Sequence, residues 1–223
     1  MKVFLPILFT ILTGVAILSG CAKETDFEAI DLGYDYFPNT EGTFIEYEVD
    51  SINYGIEVDT VHFYLKEVIA EEFIDDEGNL ATRIERFKKF NMDDEYVLTD
   101  VWVQKRTSTT AERIEENFRY VRLAFPVEAG EVWDGNAYNI EEAWDYTYTS
   151  IGGSYNNGVL PFSNTLRVRQ RENINLVDQE SAWEVYARGI GLVHKKLTDL
   201  NYQFFEITGV DMEMRAIAFG TVE

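Results

Sequence analysis

Arg167, Arg169 and Arg171 are the cationic group of the sequence with the clearest spacing. On an extended strand, residues two apart project from the same face, so the three form a basic stripe while Leu166 and Val168 point the other way. Such a stripe could grip an anionic group. It could equally be neutralised by carboxylates of a neighbouring strand, for example the one carrying Glu184. Two acidic runs, Asp75-Asp76-Glu77 before Gly78 and Asp93-Asp94-Glu95, place carboxylate oxygens in turn-like settings. A calcium loop needs ligands at alternating positions and a bidentate Glu further on, so both runs read as solvated turns. His62 and His194 have no motif around them, and the sequence lacks a G-x-S-x-G and a His-rich pattern. Gly189-Ile190-Gly191 is followed by no helix start and no Lys-Ser/Thr, so it reads as a tight turn or bulge rather than a phosphate loop. No catalytic residue, metal ligand or cofactor is assigned.

Cys21 is the one thiol of the chain, and its setting gives it a chemistry. Lys2 precedes an uncharged run, residues 3–18, rich in Val, Leu, Ile and Phe, which has the anatomy of a signal-peptide core. Leu18-Ser19-Gly20-Cys21 then resembles the bacterial lipobox: an apolar residue and two small ones that fit a peptidase groove, before a thiol open to thioether linkage with diacylglycerol. Cleavage would leave lipidated Cys21 as the first residue, anchored in a bilayer by its acyl chains, two or more of which suffice for stable attachment. Use as the lipid site also accounts for a lone cysteine in an oxidising compartment. No Asp follows Cys21, as it does in an inner-membrane retention signal, and Lys23-Glu24 resembles in part the surface-export signal of Bacteroidota lipoproteins. The outer membrane is the expected location, on its periplasmic or its surface face.

Charge narrows the partners. The 223 residues carry 40 Asp and Glu against 19 Lys and Arg, a formal net charge of -21, and loss of Lys2 with the signal takes it to -22. Phosphate backbones repel such a chain, which argues against nucleic acid. Anionic headgroups repel it too, so attachment falls to the acyl chains. One cysteine excludes an internal disulfide and multi-cysteine metal sites.

These groups must be positioned by strands. Ile45, Tyr47 and Val49 share one face with Glu46 and Glu48 opposite, and Val61, Phe63 and Leu65 repeat the pattern. Residues 96–107, 144–151, 164–174, 182–188 and 204–210 are rich in β-branched and aromatic side chains. Hairpin connections are expected at 75–79 and 91–95, and loops at 134–136 and 152–158. Thr109-Thr110-Ala111-Glu112 matches a helix capping box, so one or two helical turns are expected over 111–117, leading into a strand where Val121, Leu123 and Phe125 share a side. The expectation is a signal over 1–20, a lipidated Cys and tether over 21–33, and an all-β, mainly antiparallel domain over 34–223. That domain would be a barrel, half-barrel or sandwich with at most one or two short helices.

Tyr36-Phe37-Pro38 with Gly42 and Tyr47, Val97 through Trp102, Phe125-Pro126-Val127 with Gly130, Trp133-Asp134-Gly135-Asn136, and Tyr186 through Val193 together resemble a family of uncharacterised Bacteroidota lipoproteins. The resemblance implies a lipidated β-rich domain and carries over no binding residue. In that lineage Asp50-Ser51-Ile52 and Asp59-Thr60-Val61 resemble the O-glycosylation triplet, which would place sugars on Ser51 and Thr60. The sequence favours a non-enzymatic envelope lipoprotein that binds or scaffolds an envelope protein. A carrier of a lipid or other hydrophobic ligand in a half-barrel cavity is the second reading, and a carboxylate-based hydrolase the third.

Overall fold

The computed structural model describes residues 30–203 and 206–222. The signal, the lipobox residues Leu18, Ser19 and Gly20, and Cys21 lie outside the described residues. The body, Asp31–Glu223, is one compact unit, antiparallel throughout. A single 3-10 turn, Tyr34–Tyr36, precedes twelve strands: β1 (Thr43–Tyr54), β2 (Asp59–Ile74), β3 (Leu80–Lys89), β4 (Val97–Arg106), β5 (Thr110–Glu115), β6 (Phe118–Ala124), β7 (Val132–Asp134), β8 (Asp145–Asn156), β9 (Pro161–Ile174), β10 (Asp178–Ala187), β11 (Gly191–Gln203) and β12 (Glu206–Thr221).

Each strand pairs with its sequence neighbour except at two places. β1 pairs β12, from Thr43 opposite Thr221 to Tyr54 opposite Gly209. The sheet then curls until its edges, β6 and β7, face each other without a ladder. Individual bonds join them: Val121 N–H donates to Gly135 O (2.9 Å), the Trp133 indole to Val121 O (3.0 Å) and the Asn139 amide to Arg119 O (3.1 Å). The Tyr148 hydroxyl accepts from Ala124 N–H (2.9 Å) and donates to Ala124 O (2.5 Å). The result is a nearly closed barrel that satisfies its edges with side chains. Its outer face carries ion pairs such as Lys66–Glu46 (3.1 Å) and Arg215–Glu48 (2.9 Å), unlike the apolar belt of a membrane-spanning barrel.

The lower end of the barrel holds the connections 75–79, 107–109, 157–160 and 188–190, and the upper end holds 55–58, 90–96, 116–117 and 175–177. Residues 31–39 lie across the lower end. Val127 N–H donates to Leu32 O, Gln104 to Pro38 O, Arg106 to the carbonyls of Tyr34 and Phe37, and Gly189 N–H to Asp35 O. Asp31–Gly33, read from sequence as the end of the tether, is thus bonded to the body, and Arg188 holds Asp31 at 2.7 Å. Tyr36 and Phe37 point inward, 1% and 3% exposed, and stopper the barrel beneath a core of Tyr47, Leu123, Phe125, Tyr146 and Leu166.

Two expectations are corrected. Residues 110–115 form β5 instead of a helical turn, and Glu116 and Asn117 follow with φ of 47° and 69°, the left-handed pair that a two-residue hairpin turn demands. Glu112 caps nothing: its carboxylate takes Arg119 Nε and the Thr110 hydroxyl, each at 2.7 Å, so strand pairing overrides local helix preference. Residues 152–156, read as loop, continue β8, and only 157–160 turn. The tip of that hairpin reaches past β10, where the Asn157 amide donates to Val193 O (3.2 Å) and Ala216 O (2.8 Å).

Candidate functional site: a chamber above the aromatic floor

Above the floor the barrel is not filled. A cavity of about 230 Å³ lies between walls of opposite character. One wall is apolar, formed by Val49 of β1, Phe63 and Leu65 of β2, and Met212 and Met214 of β12. Strict alternation puts them there, and Ser51 continues the β1 row. The other wall is ionic. Glu67, next inward residue after Phe63 and Leu65, accepts from Arg86 Nε (3.0 Å) and Arg113 Nη1 (3.0 Å). Arg122 reaches Glu115 at 2.5 Å and Glu184 at 3.4 Å, and Lys195 reaches the same Glu184 oxygen at 3.4 Å. Tyr186 donates its hydroxyl to the other Glu184 oxygen at 2.6 Å. The Arg86 guanidinium lies over the Trp102 ring, 3.4 Å from its centroid.

Burial alone would push the Glu184 carboxyl up, but Arg122, Lys195 and the Tyr186 hydroxyl outweigh it and hold it at about 2. Burial likewise works against Glu115, and Arg122, Lys195 and Arg113 overcome it, leaving that carboxyl below its usual range. Both are ionised, charge-paired groups at neutral pH. A hydrolytic carboxylate pair needs one member kept protonated as the acid, and neither of these two is.

Arg167, Arg169 and Arg171 share a face, as their spacing predicts, and line one shallow surface groove with Trp183. Arg171 finds its partner on β10, the strand that carries Glu184, as expected, though the residue is Glu180. Glu184 points inward to the chamber, whereas Arg169 pairs with Glu172 (2.9 Å), and Arg167 packs over the Trp183 ring, 4.3 Å from its centroid. Ser51 is half-buried on the chamber wall and Thr60 is exposed on β2.

The acidic run at 75–77 is an exposed turn, as expected, but its carboxylates are ion-paired. Lys105, 3% exposed, places Nζ 3.0 Å from Asp75 and 2.7 Å from Glu77, and Arg119 reaches Glu77 at 3.0 Å. Its calcium-like cluster of oxygens is thus occupied by an ammonium. In the second run Asp94 accepts from Asn91 N–H at 2.9 Å, an ordinary turn bond. Among the described residues no group of three or more His, Cys, Asp or Glu is placed to hold a metal ion. His62 meets Asp50 at 2.7 Å on the surface. His194 is held below the usual imidazole range, first by burial, so its neutral ring accepts from the Tyr155 hydroxyl at Nδ1 (2.6 Å) and donates from Nε2 to Glu213 (2.8 Å).

No chamber charge was singled out by sequence as a site residue. One signal was available: the inward row Val61, Phe63, Leu65 runs on to Glu67. Others were hidden by bulges. Arg122 is the extra residue where Ala111 and Glu112 pair with Leu123 and Val121, and the irregularity turns its side chain inward.

No family model matches the chain, and no curated protein matches it in sequence. Among solved structures, it is similar to a protein from Bacteroides fragilis classed as exported and of YMCC-like fold (10% identity over 83% of this chain and 98% of that one, TM-score 0.44). A protein from Parabacteroides distasonis classed as a lipoprotein matches at 11% identity over 86% and 100%, TM-score 0.44. A DUF1329 family protein from Desulfovibrio piger matches at 13% identity over 82% and 86%, TM-score 0.20. Similarity at this level transfers no residue role and no activity.

Proposed function

We propose that the protein is an outer-membrane lipoprotein, anchored through lipidated Cys21, whose barrel binds a small amphipathic molecule in its upper chamber. The observation that carries this is the cavity itself, apolar on β1, β12 and the upper part of β2, and ionic at Glu67 of β2 and on β3, β5, β6, β10 and β11. A polar wall of ion pairs with an apolar wall opposite suits a ligand that has both characters. Size bounds it: about 230 Å³ lies below the roughly 300–1,000 Å³ of pockets that take drug-sized ligands. A diacyl lipid is far larger, so the carrier reading narrows to a short chain or a small ring.

The methionines test this. Of the four in the chain, Met212 and Met214 line the chamber and Met92 lies exposed in the β3–β4 turn. Titration of methyl-labelled 22–223 protein with 1-octanol and with octanoate should shift the Met212 and Met214 resonances saturably and leave Met92 in place. Shifts of Met92 alone, or none, would remove the chamber as a binding site. Anchoring is tested separately: the intact mass of envelope-extracted protein should lack residues 1–20 and carry acyl chains, and Cys21→Ala should accumulate as precursor.

A further inference from the structure

The ionic wall does not balance. Four cations line the chamber, Arg86, Arg113, Arg122 and Lys195, against three carboxylates, Glu67, Glu115 and Glu184. A fourth carboxylate, Asp100, reaches Arg86 at 3.5 Å from outside the chamber lining. An unmatched charge in a partly dry space is costly, and an anion entering that space relieves the cost.

One donor is left over. Arg113 is spent on Glu67 (3.0 Å) and Gln104 (3.2 Å). Lys195 Nζ has only the Glu184 oxygen at 3.4 Å, which Arg122 also approaches at 3.4 Å. Lys195 lines the same cavity as Phe63, Leu65, Met212 and Met214.

We infer that the bound molecule carries a single negative charge, seated at Lys195, with a short apolar tail against Met212 and Met214. This rests on the chamber being a ligand site and specifies which ligand it takes. Selectivity follows from the charge count. A monoanion completes the ledger, a neutral head leaves it open, and a cationic head adds to the surplus. A doubly charged head overshoots it.

The test uses probes of one tail length: octanoate, 1-octanol, octyl phosphate and octyltrimethylammonium. Binding to the 22–223 protein is read by calorimetry and by the Met212 and Met214 resonances at pH 7. Octanoate should bind at least tenfold more tightly than 1-octanol and more tightly than octyl phosphate, and octyltrimethylammonium should not bind. Lys195→Met should abolish the preference for octanoate while 1-octanol binding stays, and Lys195→Arg should restore it. Thermal melts confirm that both variants are folded. Equal binding of octanoate and 1-octanol would overturn the monoanion inference while leaving the chamber as a binding site. A tighter octyl phosphate would overturn the single charge, and a preference that survives Lys195→Met would overturn the seat at Lys195. Failure of all four probes would overturn the chamber reading itself.

Discussion

The lower and upper storeys of the barrel are built from the same strands, yet they solve opposite problems. Below, Tyr36, Tyr47, Leu123, Tyr146 and Leu166 interlock with almost no exposure, and the chain's own segment 31–39 closes the end. Above, the inward row of β10 changes from Tyr186 to Glu184, and space opens. The floor is held by close packing and burial of apolar surface. The chamber is held by ion pairs that resist collapse, because each charged head must keep its partners and cannot move into an apolar gap. A barrel that only needed stability would have been filled throughout. The difference places rigidity beneath and vacancy above.

Three changes would break or sharpen this contrast. The largest effect is expected in the chamber wall. Arg122→Met strands the carboxylates of Glu115 and Glu184 and should cost about 3–5 kcal/mol, while Leu123→Ala in the floor should cost about 2–5 kcal/mol by leaving a cavity. Urea denaturation separates the two mechanisms, since only the Arg122→Met loss should lessen when Glu184→Gln is added. A next effect is acid sensitivity confined to the wall. The folded Glu184 carboxyl, at about 2, lies below the ordinary 4.5, so its stabilisation is complete above that ordinary value and is lost as pH falls from about 4.5 toward 2. The urea midpoint should decline across that window, and Glu184→Gln should flatten the decline. An equal slope in Glu184→Gln would show that other carboxylates carry the acid response. The smallest effect comes from adding volume. Ser51→Leu projects into free space and should be neutral or stabilising by about 1 kcal/mol, whereas Ala111→Leu, at 0% exposure in the packed floor, should destabilise by about 1–3 kcal/mol. Similar melting shifts in both would mean that the upper storey is as full as the lower.

Much of the apolar interior was legible in the sequence, because it obeys period two. Tyr47 and Val49 on β1, Leu65 on β2 and Leu123 with Phe125 after β6 all bury on the expected face. The all-β, antiparallel class followed from the same rows. β3 was harder, since Leu80–Lys89 carries Arg83, Glu85, Arg86, Lys88 and Lys89 and looks solvent-facing on both sides. β5 was misread because its alternation, Ala111, Arg113, Glu115, uses charges in inward positions, so local propensity gave the stronger signal. The chamber was nearly invisible for the same reason. Period-two reading treats a charge as an outward residue, and bulges at Arg122 and at Val185/Tyr186 shift the register just where the ionic wall is built. The arginine stripe was placed correctly, with Arg171 paired to Glu180 of the neighbouring β10, whereas Arg169 takes Glu172 of its own strand.

The β1–β12 ladder has a consequence for how the molecule comes into being. Almost every other ladder joins strands adjacent in sequence, so these can form as local hairpins soon after their residues are free. Thr43 meets Thr221 only after nearly the whole body is present, and that closure carries the largest loop entropy. The chain therefore has two sheets to assemble early, β1–β6 and β7–β12, and one slow encounter that joins them. Until it occurs, β1 and β12 are bare edges open to foreign strands. The interval before the last strand arrives is when this protein is most exposed to aggregation.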